Sequence, residues 1–241
     1  MIYATGDCHG NFRRFQPEYF PEQAGMTKND VVIIAGDFGG VWFGDSRDDE
    51  TLDWLERLPF TLAFVCGNHE NYDALERYPV AEWHGGKVHR IRPHVLHLMR
   101  GQIFELESYR FFTMGGAKSH DTNHRINHIS WCRQELPSDE EYIEALQNLE
   151  RYNWQVDYII THCAPTSIAL AGADTTRQIG SRTSCRRCGK EQHITTGCSA
   201  TTTTTEPLMK NTSCCGSRSC GSYETSQSRE KHGDIAVLFL L

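Results

Sequence analysis

The sequence predicts an α/β fold whose strand ends bring ionisable side chains to one crevice. Three observations carry this reading. Continuous apolar runs rich in β-branched residues recur at intervals of about thirty residues, which suits strand–helix–strand units in a sheet covered on both faces. Charge-rich segments with helical patterning lie between them. Each of four runs closes on a short motif holding Asp, Asn or His: Gly6-Asp7-Cys8-His9-Gly10, Gly36-Asp37-Phe38, Gly67-Asn68-His69-Glu70 and Thr161-His162-Cys163-Ala164-Pro165. Ligands of such sheets collect in the crevice beyond the strand C-termini.

In chain order, Ile2-Tyr3-Ala4 reads as a short buried strand, and Gly6 and Gly10 permit the tight turn after it. Val31-Val32-Ile33-Ile34-Ala35 is β-branched and continuous, a stronger strand signal, and it delivers Asp37. Residues 48–57 read as a helix. Leu62-Ala63-Phe64-Val65-Cys66 is the strand that delivers Asn68 and His69, and residues 71–78 form the next helix. Residues 95–99, 103–106 and 110–114 read as a meander of short antiparallel strands. His84, His89, His94 and His97 lie near these strands and read as surface or core-edge side chains. Ser138-Asp139-Glu140-Glu141 is a capping box that opens a helix running to about Arg151, with Tyr142, Ala145, Leu146 and Leu149 on its apolar face. Val156-Asp157-Tyr158-Ile159-Ile160 then delivers His162.

The residue types make chemical sense together. Asp-x-His sets a hard anionic oxygen and a neutral nitrogen one residue apart, a mix that suits manganese, iron or zinc. Two cations about 4 Å apart need a bridging anion, and one aspartate can bridge them. Such a pair clamps phosphate oxygens and lowers the pKa of a bound water, giving a hydroxide near neutral pH. A histidine outside the ligand set can protonate the leaving oxygen. A lone Gly-Asp-x-His is more often a turn than a metal site. Four motifs in order, each ending a strand-like run, agree across levels in a way one motif cannot.

On these motifs, roughly residues 1–175 resemble the calcineurin-like metallophosphoesterases, in particular their small bacterial single-domain members. The resemblance implies a sandwich of two mixed β-sheets flanked by helices. It implies two divalent metal ions, with Asp7 and His9 on the first, Asp37 bridging, and Asn68 and His162 on the second. His69 becomes the catalytic histidine that binds no metal. The implied activity is hydrolysis of a phosphate ester by a metal-bound hydroxide, and the implied partner is a phosphorylated small molecule or other phosphoester. The motifs do not choose among monoester, diester, nucleotide and phosphoprotein. Residues 119–132 are irregular and polar, and substrate contacts are expected there. Arg125 is the best candidate, because a planar guanidinium matches phosphate bidentately. The alternative reading of that stretch is a solvated loop.

The chain has 241 residues, enough for one domain with a full core. Its net charge of −7 includes no basic stretch long enough for nucleic-acid binding. No apolar segment reaches membrane-spanning length, and the chain enters a strand at once, which reads as no signal peptide. Cys8, Cys66, Cys132 and Cys163 are scattered and read as thiols, so a cytoplasmic enzyme is expected.

The division expected is a metallophosphoesterase domain over 1–175 and an aberrant Thr/Ser/Cys-rich tail over 176–241. Thr201 to Thr205 is a homopolymer, and six of the ten cysteines crowd into residues 185–220. A regular apolar run returns only at Ile235 to Leu241. The family's fifth motif, Gly-His-x-His, which would give one histidine to each metal, is absent as written. Three readings compete. Cys185 and Cys188 have the spacing of a zinc module, though no matching pair follows. A low-complexity tail without a core is the second. A frameshift is the third, and the genetic code bears on it. Joining the last base of each codon to the first two of the next turns Thr-Thr into a codon for His, Tyr, Asn or Asp. Ser199 to Thr205 then permits Gly-His-Tyr-His-Asp-Asn, which contains the missing motif. Under that reading the chain as written is an impaired hydrolase. A metal-binding pseudoenzyme and a bipartite protein with a zinc-binding tail are the alternatives.

Overall fold

The computed structural model describes residues 1–119 and 132–163 in full, and the strand backbones of 196–200, 206–207 and 236–240. In chain order the strands are β1 (Ile2–Thr5), β2 (Val31–Ala35), β3 (Thr61–Val65), β4 (Val80–Trp83), β5 (Gly86–Arg92), β6 (Val95–Leu98), β7 (Gln102–Leu106), β8 (Tyr109–Met114), β9 (Tyr158–Thr161), β10 (Thr196–Ala200), β11 (Glu206–Pro207) and β12 (Ala236–Leu240). The helices are α1 (Asp49–Glu56), α2 (Tyr72–Leu75) and α3 (Asp139–Arg151).

Two mixed sheets result. The first runs β11-β1-β2-β3-β6-β5-β4, and the second runs β10-β12-β9-β8-β7. β1, β2, β3 and β6 are parallel, with Ala4 beside Ile33, Ile33 beside Ala63 and Ala63 beside Leu96. The apolar runs are continuous because both faces of each strand are covered. Val32, Ile34, Leu62 and Phe64 face the layer of α1 and the short 3₁₀ turns, packing on Phe15, Phe20, Leu52 and Leu55. Their neighbours Val31, Ile33, Ala63 and Val65 face the second sheet and meet Phe104, Phe111 and Ile160. The outer face of the second sheet is closed by α3, whose Ala145 and Leu149 pack on Ile103, Phe112 and Ile159. The α/β sandwich of two mixed sheets flanked by helices is therefore the fold observed.

Helix α3 starts where the capping box places it. Ser138 Oγ accepts from the Glu141 N–H at 3.2 Å, and the Glu141 carboxylate accepts from the Ser138 N–H at 2.7 Å. Helix α2 is shorter than its sequence pattern, a single turn capped by the Asn71 side chain, which accepts from the Ala74 N–H.

Two sequence expectations need correction. The three-strand meander is only the β7–β8 hairpin. β6 joins the first sheet instead, because Val95 fills one of its cores while Leu96 and Leu98 fill the other. The β4–β5 hairpin was not read from the sequence, although Gly85-Gly86 is a turn signal. His84 and Gly85 both hold positive φ (47° and 86°), the geometry of a two-residue turn that usually advertises itself as Asn-Gly. His89 and His97, read as surface or core-edge side chains, are buried at 8% and 6% exposure and face each other across the β5–β6 pair. In the tail, β12 coincides with the apolar run at 235–241. β10 has no apolar pattern yet pairs in parallel with β12, a pairing that needs only backbone groups.

Candidate metal centre

The four motifs follow β1, β2, β3 and β9, and the structure brings their side chains together. Glycines make the close approach possible. At Gly36 (φ 107°) a Cβ would collide with the His162 ring, and at Gly67 it would overlap the Asp37 carboxylate. These two positions exclude a side chain because a candidate ligand, His162 or Asp37, already occupies its space. Asp37 and His9 themselves hold left-handed backbone, with φ of 49° and 48°. Such conformations cost about 1–3 kcal/mol each and persist only where the surroundings fix them. Here the Asp37 carbonyl accepts from the N–H groups of Cys8 (3.0 Å) and His9 (2.7 Å), and the Phe38 carbonyl accepts from Gly10 (3.0 Å).

Asp37 lies at the middle of the cluster and is 2% exposed. One of its oxygens is 3.6 Å from His9 Nε2, and the other is 3.6 Å from His162 Nε2. Asp7 flanks both histidines, at 3.7 Å from His9 Nε2 and 3.6 Å from His162 Nδ1. Single ligand atoms of Asp7, His9 and Asp37 all lie within 4.8 Å of one another. Asn68 Oδ1 is 3.3 Å from His162 Nε2, and its amide is oriented by donation to Ser119 Oγ at 3.3 Å.

Two observations test whether a cation fits this arrangement. His162 Nδ1 sits 2.9 Å from the Ala35 carbonyl, which can only accept, so Nδ1 carries the proton. In the neutral ring Nε2 is then a bare lone pair facing two oxygens, Asp37 Oδ1 and Asn68 Oδ1. Three acceptors aimed at one point repel unless a cation lies between them. The second observation is Asp7 Oδ1, which is buried and has no hydrogen-bond partner. Burial raises the Asp7 carboxyl pKa, the His162 ring opposes this, and the Asp37 charge reinforces it. A positive ion would relieve the unpaired oxygen and the crowded carboxylates together. The donor set fits divalent cations.

His69 is placed beside this cluster, its ring 5.4 Å centroid to centroid from that of His9, while its N–H donates to Asp37 Oδ1 at 2.8 Å. Two supporting residues were not singled out by sequence reasoning. Buried Glu70 accepts from the N–H groups of Phe38 (2.8 Å), Gly67 (3.4 Å) and Gly39 (3.5 Å), which ties the Asp37 turn to the Asn68 turn. Burial pushes its carboxyl up to about 8 against the pull of those donors. Its place as last residue of Gly67-Asn68-His69-Glu70 was the available signal. Arg14 grips the Asp7 turn, donating to Thr5 Oγ1 (2.7 Å), the Gly6 carbonyl (3.0 Å) and the Asp7 carbonyl (2.5 Å). No motif marks Arg14, because only folding brings it there. Arg125 lies outside the described residues, as do Cys185 and Cys188.

A model of the calcineurin-like phosphoesterase family matches residues 1–188. The chain belongs to that family. Membership supports a metal-dependent hydrolase acting on phosphoesters, the class that the four motifs imply. No curated protein matches the phosphoesterase. Among solved structures, a protein of unknown function, AQ665 from Aquifex aeolicus, is 17% identical to it, with 66% of this chain and 76% of the other covered and a TM-score of 0.31. Among the described residues no helix is long and apolar enough to cross a membrane.

Proposed function

We propose that this phosphoesterase hydrolyses a phosphate ester at a two-metal site, with Asp7 and His9 holding one ion, Asn68 and His162 the other, and Asp37 shared. The observation that carries the reading is Asp37, which offers one oxygen to the His9 side and the other to the His162 side at equal distances of 3.6 Å. Manganese, iron or zinc suits this mixture of carboxylate, amide and imidazole. When bound, such ions supply Lewis acidity toward the phosphoryl oxygens and toward water. The chain's own groups do the rest. Arg14 and Glu70 fix the turns that carry the ligands. The His69 ring, partly exposed beside His9, is free to place a proton on the departing alkoxide.

The proposal extends to the tail. The sequence as written lacks Gly-His-x-His, and the shifted frame permits it immediately after Ser199. β10 runs parallel to β9 through β12, so the C-terminal end of β10 lies at the same end of the sheet as Thr161. That direction supports a final ligand motif after β10 and an impaired hydrolase in the chain as written.

The test is direct. The coding frame is restored across residues 170–220, and the protein is supplied with Mn²⁺ and assayed on p-nitrophenyl phosphate and bis-p-nitrophenyl phosphate. Turnover of at least one ester is expected. Asp37→Ala should lose metal and activity together. His69→Ala should lower turnover by about 10²–10⁴ with metal content unchanged. Loss of metal in His69→Ala would overturn its assigned role.

A further inference from the structure

Asn68 is the amide among the candidate ligands, the others being carboxylates and imidazoles. Charge draws a carboxylate to a cation, but a neutral amide oxygen helps only where its placement is held. The fold holds it from two sides. Its Nδ2 donates to Ser119 Oγ at 3.3 Å, which leaves Oδ1 facing His162 Nε2 at 3.3 Å. On the main chain beside it, the Gly67 carbonyl accepts from the Tyr72 hydroxyl at 2.5 Å.

Both holds lead to Arg100. Ser119 is fixed in turn by its N–H, which donates to one Glu135 oxygen at 3.0 Å, while the other oxygen accepts from the Cys132 N–H at 3.4 Å. Arg100 fixes the Glu135 turn and the tyrosine together. Its Nη2 donates to the Gln134 carbonyl at 2.6 Å and to the Tyr72 hydroxyl oxygen at 3.0 Å. Its Nε donates to the Gly115 carbonyl at 2.9 Å, on the segment that leads from β8 to Ser119. The Glu141 carboxylate, 3.1 Å from Nη1, balances the buried charge. A ring of contacts therefore leaves Gly67 through Tyr72, Arg100, Glu135 and Ser119 and closes on Asn68. Tyr72, Arg100, Ser119 and Glu135 are all buried. Away from water each bond is stronger, and a satisfied network rigidifies what it holds.

We propose that Ser119 and Arg100, through Glu135 and Tyr72, are positioning residues that set the Asn68 oxygen for the ion on the His162 side. This role rests on the two-metal reading above. None of the four is a candidate ligand, so each acts on the ion only through where Asn68 stands. Partners of this kind are worth about ten- to a hundredfold in metal affinity.

The full chain, stripped of metal with a chelator, is titrated with Mn²⁺, and bound ions are counted by loss of the electron paramagnetic resonance signal of free Mn²⁺. Asn68→Ala marks the binding step that belongs to its side. Ser119→Ala should weaken that same step about ten- to a hundredfold and leave the other within about threefold. Tyr72→Phe, a change of one oxygen atom, removes the other hold and should weaken the step severalfold. Ser119→Ala added to Asn68→Ala should cause no further loss, because a residue acting through Asn68 has nothing left to place. An Asn68-sensitive step that Ser119→Ala does not move would overturn the proposal and leave the two-metal reading standing. Equal weakening of both steps, or a full further loss in the double variant, would show a general packing role and overturn it too. If Asn68→Ala moves no step, the ligand assignment fails and this role fails with it.

Discussion

Replacing Gly36 by alanine isolates the packing that brings His162 against the end of β2. The residue has φ 107°, and a Cβ there collides with the His162 ring. Two costs follow. Holding alanine in that region of backbone space costs about 1–3 kcal/mol. Making room for the methyl against a ring already fixed at 2.9 Å on the Ala35 carbonyl adds about 1–3 kcal/mol of overpacking strain. The sum, about 2–6 kcal/mol, is a large share of a typical folding free energy of about 5–15 kcal/mol. For a chain of this size each kcal/mol lowers Tm by about 2–4 °C, so a fall of roughly 4–24 °C is expected. Gly25→Ala is the control, because nothing lies within 4 Å of its Cβ position. It should be neutral or slightly stabilising, since alanine narrows the unfolded ensemble. Thermal unfolding of the two variants beside the parent protein measures both. If Gly36→Ala melts within about 2 °C of Gly25→Ala, less than one kcal/mol separates them, and the crowding argument fails. The same substitution should also weaken binding of the ion assigned to His162, read by metal titration.

Further expectations follow from single features. Burial, His89 and Arg100 push the His97 pKa well below the usual 6.5, and burial lowers that of His89. Groups held neutral in the fold but protonated when unfolded lose their stabilisation as pH falls, so urea stability should drop below about pH 6.5, by up to about 1.4 kcal/mol per pH unit per histidine. A His89→Asn/His97→Gln double variant should flatten that slope between pH 5 and 7, and an unchanged slope would refute the assignment. Ser138→Ala removes the α3 cap and should cost about 1 kcal/mol in urea unfolding. Phe64 is fully buried, stacked 4.0 Å from Phe38 and 5.0 Å from His97, so Phe64→Ala should cost about 3–5 kcal/mol; a loss below 1 kcal/mol would mean the core collapses around the gap.

By itself the sequence determined the elements that obey a local rule. β1, β2, β3 and β9 are legible because strands buried on both faces need unbroken apolar runs, and these run Ile2-Tyr3-Ala4, Val31 to Ala35, Leu62 to Val65 and Tyr158 to Ile160. α3 is legible because a capping box is a contact between residues three apart. The candidate ligands are legible because each follows a strand end, so a linear motif already states where the side chain emerges. Tertiary structure decided whatever depends on partners distant in the chain. β6 resembles the neighbour of β7 in sequence, but it pairs with β3 because its two faces fit two different cores. His89 and His97 look polar in sequence and are buried because they face each other across β5 and β6, with the His97 ring stacked on Phe64. Gly36 reads as a turn residue, and only His162, more than a hundred positions later, explains why no side chain fits there. Arg14 acts by reaching backbone groups that the folded chain alone assembles, so no spacing in the sequence announces it; Glu70 ends a legible motif, but only folding brings its carboxylate to the Phe38 and Gly39 N–H groups.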